Sequence, residues 1–496
     1  MKITPEIEIN GKINKYWVVT IIFSVMTAVA LLISSSLEAK WLVASMIAII
    51  GIYICFVIQK ELSPFLLFLA VFAIPLKIDY YLLYKPTYFV ETSGLPGLPV
   101  SLFDIVLIIL SLHLCFQILL GKHKFKFYPS ISIPVIIYLI ISGISAFRSA
   151  DLSLSFSLFI LMVKSYIAFL FFANRIRTKS DLKIVIFALI MGVLLQSIIG
   201  GIQSLSGGTF LKGVFGIPEA AFRTQIQGEY VLSRIGGTIG HPNALAKYLC
   251  FCIPVLLAYG FSKSDPAIKK LALFTTLLAC WTLLGTLSRG SWVALGLTFS
   301  FFFYETFKYY FKSRLKSIVM VILFIGIIVG ATLSMSEDVR IRLFKDDYGS
   351  AKARLPMAVV ALNIIKEHPI TGVGLNNYTT VMHNYDHTRE SQTYRFPHPV
   401  HNSYLLIAAE SGIPALIVFL WLIGVAMAKG WPALKSLKSS VSLIQLGLLG
   451  GLITWLIAAM FDRDFPGINI MFWLTIAMLA ACQHISSMED EKITYL

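Results

Sequence analysis

Apolar runs long enough to cross a lipid bilayer recur along nearly the whole of this chain. A membrane-spanning helix needs about 20 mostly apolar residues, because each residue advances the helix by about 1.5 Å. About 14 runs meet this description. They cover residues 17–34, 41–58, 64–77, 102–120, 131–147, 154–173, 184–205, 243–261, 270–287, 291–307, 317–335, 403–427, 441–461 and 467–485. The sequence therefore predicts an all-α polytopic membrane protein.

The amino-acid composition agrees with this class. Of the 496 residues, 57% are hydrophobic and only 14% are charged, a balance unlike that of a soluble domain. Glu6 and Glu8 precede the first run and no small-residue cleavage site follows it, so we expect this run to be retained rather than cleaved as a signal. The six cysteines lie in apolar runs without metal-site or disulfide spacing, and we interpret them as core residues.

The distribution of basic residues predicts the orientation of the chain. With the N-terminus in the cytoplasm, about 22 basic residues fall in cytoplasmic segments and about 4 in short outer loops, as the positive-inside rule requires. Both termini are then cytoplasmic, and the long extracytoplasmic segments are 77–102, 206–242 and 336–402. The net charge of +15 is mostly this topological signal. A nucleic-acid partner is the rival interpretation, but the basic residues are scattered and form no nucleic-acid module.

One stretch, from Tyr394 to Ala415, joins a polar, histidine-bearing loop to a long apolar helix. Asn402 or Ser403 can cap this helix, because a side-chain oxygen there accepts from an unpaired backbone N–H. His401 then lies at the helix start, where the macrodipole favours an anion. Glu410 follows about 13 Å further along the axis. A carboxylate in an apolar run is either functional or a structural pin to a neighbouring helix.

Arginines at the predicted outer face are the second chemical feature. Arg289 lies in the short turn TLSRGSW, and Arg234 precedes GTIGHPNALAKYL, where a helix begins near Asn243. Arg354 lies in the third outer segment. A guanidinium can bind phosphate through two parallel hydrogen bonds, so several at one face indicate a diphosphate held at the lipid surface. The alternative is that they are interfacial arginines reaching for lipid headgroups.

The outer segment 336–402 carries further candidates. Residues 353–366 predict an amphipathic helix, with an apolar face formed by Leu355, Val359, Leu362 and Ile365. Zinc-like spacing is found in a group formed by His383, Asp386, His387, His398 and His401. The other interpretation of this irregular region is a lid or a sugar-contacting loop.

The remaining charges near the spans receive structural interpretations. Lys247, one turn after Asn243, is interpreted as a lysine snorkelling to the membrane surface, with an approach to the diphosphate as the alternative. Lys164 lies in the middle of a span, where we expect it to pair with an acid or with backbone carbonyls. The turn from Asp462 to Asp464 is interpreted as a solvated charge cluster, with contact to the acceptor as the alternative.

HNSYLLIAAESGIPA at 401–415 resembles the signature of the bacterial O-antigen ligase and O-antigen polymerase superfamily. That signature is His, then Asn, Ser or Gln, nine residues, Gly, two residues and Gly. His401, Asn402 and Gly412 match it, whereas Ala415 replaces the last glycine. TLSRGSW, R-x5-GHPN at 234–243 and HPITGVGLNNY at 368–378 are similar to other segments of this family, in the same order. The resemblance covers residues 230–425, and the earlier spans share only hydropathy.

The resemblance implies a glycosyltransferase-C-like membrane fold and a glycan transfer that uses no metal or other cofactor. The donor would be a glycan linked to undecaprenyl diphosphate, and the acceptor a sugar at the outer face of the cytoplasmic (inner) membrane. His401 would be the catalytic base. The diphosphate-binding residues would be Arg234, Arg289 and Arg354, and the supporting residues Asn243, Asn402 and Glu410. A flippase and a chain-length regulator are candidate partners in the lipid bilayer, and no nucleic acid is expected.

These inferences divide the chain into an N-terminal membrane bundle at 1–205, a catalytic membrane region at 206–485 and a cytoplasmic tail at 486–496. We favour a polymerase of surface-polysaccharide repeat units, because the chain is long and has three sizeable outer segments. A ligase that moves finished chains to lipid A core or another acceptor shares the same signature and is the alternative. A polytopic polysaccharide transporter without catalysis is a further alternative, but its expected repeated halves are not evident in the sequence.

Overall fold

A computed structural model describes most of the chain. The described residues are 59–76, 80–84, 95–206, 225–227, 230–232, 234–311, 313–316, 318–319, 322, 354–388, 392–395, 397–434, 439–464 and 466–494. The predicted spans at 17–34 and 41–58, and nearly all of the span at 317–335, lie outside these residues.

The described residues form α-helices joined by loops, together with two small antiparallel hairpins. The helices are α1 (Gln59–Ala73), α2 (Leu102–Leu119), α3 (Pro129–Ala146), α4 (Leu152–Arg175), α5 (Lys179–Leu205), α6 (Pro242–Gly260), α7 (Pro266–Gly285), α8 (Arg289–Phe311), α9 (Arg354–Glu367), α10 (Tyr378–Val381), α11 (Gln392–Arg395), α12 (Ser403–Gly430), α13 (Ser440–Ala458) and α14 (Ile470–Thr494). The hairpins pair β1 (Tyr80–Leu82) with β2 (Leu98–Val100) and β3 (Gln225–Gln227) with β4 (Tyr230–Leu232).

Nine of the described helices are long and apolar enough to cross a membrane. They are α2 to α7, α12, α13 and α14, and each coincides with a run predicted from the sequence. The run at 291–307 lies in α8, which is helical but is not among the nine, and the run at 64–77 contains the shorter apolar helix Ser63–Ala73. The chain is therefore an all-α, multi-pass membrane protein, while the total of about 14 spans stays a prediction.

The described residues fall into two compact units, one that contains residues 59–66 and 108–125 and the other that contains the described residues of 67–107 and 126–494. Every candidate site residue lies in the second unit. The functional division at residues 205 and 485 stays a prediction.

Helix α13 packs closely on α6, because it presents glycines at the contact. A Cβ at Gly447 would lie 2.7 Å from the carbonyl oxygen of Pro254, and one at Gly451 would lie 2.5 Å from the carbonyl oxygen of Phe251. Small residues let membrane helices approach in this way. Phe251 also stacks on Trp455, with ring centroids 5.6 Å apart. These contacts bring the end of α13 next to the start of α6.

Helix α12 is interrupted at Gly412, whose φ of +87° is a left-handed conformation that favours glycine. The loop at 368–377 fits against this break. The carbonyl of Glu410, released from the helical pattern, accepts from the backbone N–H of Gly374 at 3.0 Å and from the hydroxyl of Ser145 at 2.6 Å. Backbone hydrogen bonds thus hold the segments 368–378 and 401–415 together.

Helix α9 covers the predicted amphipathic segment but buries a different face. Its buried residues are Met357, Val360, Ala361 and Ile364. They pack with Tyr378 and Leu406, whereas Leu355 is 74% exposed. The predicted apolar face is wrong, because both sides of this helix carry apolar residues and periodicity alone does not select between them.

Candidate active site

His401 lies immediately before α12, in the predicted position at the start of a membrane helix. Asn402 is the N-cap, and its side-chain oxygen accepts from the backbone N–H groups of Tyr404 and Leu405, each at 3.0 Å. This confirms the predicted cap. The Nδ1 of His401 lies 3.1 Å from the carbonyl oxygen of Pro399. A carbonyl can only accept, so in the neutral ring the proton is on Nδ1, and Nε2 keeps the lone pair that a base needs.

The surroundings of His401 favour its neutral form. Burial lowers the pKa of this imidazole below its usual value. The nearby carboxylate of Asp462 raises the pKa, while the positive charges of Arg463 and Arg354 lower it. The net result is a lowered pKa, so the ring is available as a proton acceptor at neutral pH.

The turn between α13 and α14 packs against the start of α12. The backbone N–H of Ser403 donates to the carbonyl of Ala459 at 2.9 Å, and the Ser403 hydroxyl accepts from the backbone N–H of Asp464 at 2.9 Å. The Asn402 amide donates to the carbonyl of Met460 at 3.3 Å. These bonds place the turn at 459–464 beside His401.

The charged residues of this turn are buried in ion pairs. The ammonium of Lys247 lies 3.3 Å from the Asp462 carboxylate and 3.6 Å from the Asp464 carboxylate, and it donates to the carbonyl of Arg463 at 2.7 Å. The Lys247 side chain is only 9% exposed and that of Asp462 only 15%. The interpretations of Lys247 as a snorkelling lysine and of this turn as a solvated cluster are therefore wrong.

Asp462 is the electrostatic centre of this arrangement. Burial raises the pKa of its carboxyl, but the positive charges of Lys247, His401, His241 and Arg463 outweigh that effect and lower the pKa to about 2. Asp462 is therefore ionised at neutral pH, and its charge acts on the candidate base. Sequence reasoning gave Asp462 no role beside the base and offered only a solvated cluster or contact with the acceptor. The available signal was an acidic turn between two spans together with a lysine one turn inside α6.

Arg234 and Asn243, which begin and end the R-x5-GHPN motif, are in direct contact. The Nε of Arg234 donates to the carbonyl of Thr286 at 2.8 Å, and a terminal nitrogen donates to the Asn243 side chain at 2.7 Å. The next residue, Ile235, donates its backbone N–H to the carbonyl of Gly285 at 3.0 Å. Arg234 is thus tied both to the start of α6 and to the end of α7.

Arg289 begins α8, three residues after Thr286, so it lies on the same turn that anchors Arg234. The adjacent Gly290 packs on Phe461, because a Cβ at Gly290 would lie 2.7 Å from the Cβ of Phe461. The Arg289 turn therefore abuts the turn that carries Asp462. Arg354 begins α9 and lies close enough to lower the pKa of His401.

Glu410 lies away from these groups, within the membrane helix. It is 3% exposed, and its carboxylate accepts from the backbone N–H of Tyr378 at 3.3 Å. Its backbone carbonyl also accepts from the N–H of Gly374. The side chain and the backbone of Glu410 therefore both bind the 368–378 loop. Of the two interpretations given to Glu410, this geometry favours the structural pin.

The histidine-rich loop is held by hydrogen bonds of its own. The Asp386 carboxylate accepts from the backbone N–H and the hydroxyl of Thr393, each at 2.8 Å, and these bonds, with those from Thr388, lower its pKa despite burial. His383 Nδ1 lies 2.9 Å from the Thr393 hydroxyl. Among the described residues, no group of three or more His, Cys, Asp or Glu side chains is arranged to hold a metal ion.

Part of this chain is similar to a known protein family. Residues 274–420 match the O-antigen ligase family. This part of the chain is similar to an O-antigen ligase domain. The prediction of the O-antigen ligase and polymerase superfamily is thereby confirmed. No curated protein matches the chain significantly.

The O-antigen ligase match includes Arg289, Arg354, His401, Asn402 and Glu410. Arg234, Asn243, Lys247 and Asp462 lie outside it, and the contacts above connect them to it. The apolar helices make this chain a multi-pass membrane protein, and the family match supports an enzymatic role of the ligase or polymerase type.

Proposed function

We propose that this protein transfers a glycan from undecaprenyl diphosphate to the hydroxyl of an acceptor sugar at the outer face of the cytoplasmic membrane, and that it acts as a polymerase of repeat units. The observation that carries the proposal is the state of His401. Its Nδ1 is fixed to the Pro399 carbonyl, which leaves Nε2 as a base, and the charge of Arg354 acts on the ring.

The proposed reaction is a single displacement at the anomeric carbon. His401 Nε2 takes the proton of the acceptor hydroxyl as that oxygen forms the new bond to the anomeric carbon. The bond from this carbon to the diphosphate oxygen breaks, and undecaprenyl diphosphate leaves. Asp462 stabilises the imidazolium that results, since its carboxylate is ionised and raises the pKa of the ring.

The diphosphate is proposed to lie among Arg234, Arg289 and Arg354. The bonds from Arg234 to Thr286 and Asn243 fix the position of its guanidinium. The planar group therefore meets phosphate in a preset orientation. Positive charge held in place before the reaction stabilises the charge that develops on the leaving group. Such countercharge makes a metal-independent transfer chemically reasonable.

The orientation also belongs to the proposal. The site lies at the start of α6, α8 and α12 and at the turn before α14. On the positive-inside assignment all of these ends face away from the cytoplasm. A flippase that delivers the lipid-linked donor and a regulator of chain length would then act beside this protein in the same membrane.

A ligase remains the second candidate, because the matched family is described as O-antigen ligase. Reconstitution distinguishes the two. Protein in liposomes is given lipid-linked repeat units alone, and the products are separated by size. Lengthening products support the polymerase. A reaction that begins only after a second acceptor, such as lipid A core, is added supports the ligase. Absence of transfer under both conditions contradicts the proposed function, and unchanged transfer after chelation supports metal independence.

A further inference from the structure

A cavity of about 260 Å³ is lined by Lys247 and Asp464, two members of the buried ion pairs described above. One face of α6 forms part of its wall, through Ala244, Lys247, Tyr248 and Phe251. The remaining walls come from the β1–β2 hairpin, from α4 and from the starts of α2 and α14. These segments all lie outside residues 274–420, so the family match does not account for the cavity.

A second ion pair faces this cavity. The ammonium of Lys164, in the middle of α4, lies 2.9 Å from the carboxylate of Asp104, near the start of α2. The Asp104 side chain is 7% exposed, and its other oxygen accepts from the backbone N–H of Ser101 at 2.8 Å and from the Ser101 hydroxyl at 3.0 Å. A buried ion pair contributes little net stability, because the free energy needed to remove both charges from water offsets most of their attraction. Ionisable groups within membrane spans commonly mark substrate sites.

The charged residues that line the cavity indicate which class of ligand it can bind. The charged groups that line the cavity are two acids, Asp104 and Asp464, and two bases, Lys164 and Lys247. This equal number of acids and bases does not favour a diphosphate, which needs an excess of positive charge. It does not favour a polyprenyl chain either, because an apolar chain fits a wall without charged groups. It does favour a neutral ligand rich in hydroxyl groups, because carboxylates accept from hydroxyls and ammonium groups donate to them. Tyr81 and Phe251 add aromatic surface for the apolar faces of such a ligand.

The size of the cavity points in the same direction. Small-molecule sites commonly have volumes of about 300–1,000 Å³. A cavity of about 260 Å³ is close to the lower end of this range, so it suits a sugar residue rather than a long glycan.

We propose that this cavity binds the sugar of the acceptor, with the Asp104–Lys164 pair contacting its hydroxyl groups. The inference rests on the proposed transfer and assigns its acceptor site to a cavity that lies outside the matched residues 274–420. Lys247 connects the two sites, since its side chain lines the cavity and its ammonium binds Asp462, whose charge acts on His401.

Binding measured without turnover tests this inference. The probe is the repeat-unit oligosaccharide released by mild acid from the lipid-linked intermediates of the source cells. Its affinity for the full chain in nanodiscs is measured by saturation-transfer NMR. Asp104→Asn should weaken binding by about tenfold or more, the loss expected for one charge-assisted hydrogen bond. Separately, Ala244→Phe should weaken binding by about as much, because the larger side chain fills the cavity. His401→Ala should keep the wild-type affinity.

Two controls separate a loss of the site from a loss of the fold. Asp181→Asn removes the acid of another partly buried ion pair, Arg175–Asp181 at 2.6 Å, which does not line the cavity. It should leave oligosaccharide binding unchanged. Binding of undecaprenyl diphosphate in detergent should be the same in Asp104→Asn as in the wild type.

The possible outcomes are distinguishable from those that test the proposed function. Wild-type protein that does not bind the oligosaccharide, or Asp104→Asn protein that binds it with full affinity, overturns the inference even when transfer activity is present. A loss of undecaprenyl diphosphate binding in Asp104→Asn also overturns it, because the cavity then holds the donor. Binding that depends on Asp104 in a protein without any transfer activity supports the sugar site and contradicts the proposed function.

Discussion

The ammonium of Lys247 lies 3.3 Å from the carboxylate of Asp462. This contact joins α6 to the turn between α13 and α14, and that turn is hydrogen-bonded to the start of α12 beside His401. A single buried lysine therefore organises the elements that carry the candidate base and the motif of Arg234. Its removal should affect folding and activity together.

We predict that Lys247→Met destabilises the protein. It leaves the Asp462 and Asp464 carboxylates without their cation, and breaking a buried ion pair by removing one partner costs about 3–5 kcal/mol. The unfolding temperature of the protein in detergent should fall clearly. Lys263→Met, at an exposed position, is the matched control and should leave it nearly unchanged. Equal unfolding temperatures for both variants would contradict the role of Lys247.

The pH dependence of transfer should report on His401. A base acts in its neutral form, so kcat/KM falls as the pH decreases through the pKa of the imidazole. Because burial lowers that pKa, the midpoint of the acid limb should lie below the ordinary histidine value of about 6.5.

The charged neighbours of His401 predict the direction in which substitutions should shift the midpoint of this pH profile. Asp462 raises the pKa, so Asp462→Asn should move the midpoint to lower pH, whereas Arg354→Ala should move it to higher pH. The measurement is kcat/KM against pH for the three proteins. Shifts in the reverse directions would show that another group controls the profile.

Asn243 is predicted to position the guanidinium of Arg234 for the diphosphate. Asn243→Ala removes a hydrogen bond of 2.7 Å to a charged group, and such bonds contribute about 1.5–3 kcal/mol. Transfer should fall by roughly 10- to 100-fold, mostly as a higher KM for the lipid-linked donor. Asn363→Ala, which removes a bond to the Tyr385 carbonyl instead, should retain donor KM. An unchanged KM in Asn243→Ala would contradict this positioning role.

The break in α12 should depend on the absence of a side chain at Gly412. An alanine there would be strained at φ +87°, and its Cβ would overlap the carbonyl of Ile370. Gly412→Ala should therefore lower both the folded yield and the unfolding temperature. A Cβ at Gly424, in the same helix, would meet no other atom within 4 Å, so Gly424→Ala is the control and should be neutral. Similar effects of the two substitutions would argue against the break as a structural requirement.

Much of the local structure around the site could be predicted from the sequence. The cap at Asn402 and the start of α6 near Asn243 depend on neighbouring residues, so short patterns contain the required information. The apolar runs likewise predict the spans, because backbone groups in lipid must be satisfied within a helix.

The parts that could not be predicted depend on contacts between distant segments. Lys247 and Asp462 are far apart in the chain, and a charged turn between spans has the same local sequence whether it is solvated or buried. The role of Glu410 required knowledge that the 368–378 loop packs on it. The buried face of α9 could not be chosen because Leu355 and Val360, on opposite faces, are equally apolar.

The most direct test of the account is the single-turnover rate of glycan transfer by reconstituted wild-type protein and by His401→Ala. A general base contributes typically about 10²- to 10⁴-fold. We predict a loss of that size in His401→Ala, with membrane insertion, unfolding temperature and binding of undecaprenyl diphosphate retained. A His401→Ala protein that transfers glycan at the wild-type rate would contradict the central claim that this imidazole is the catalytic base.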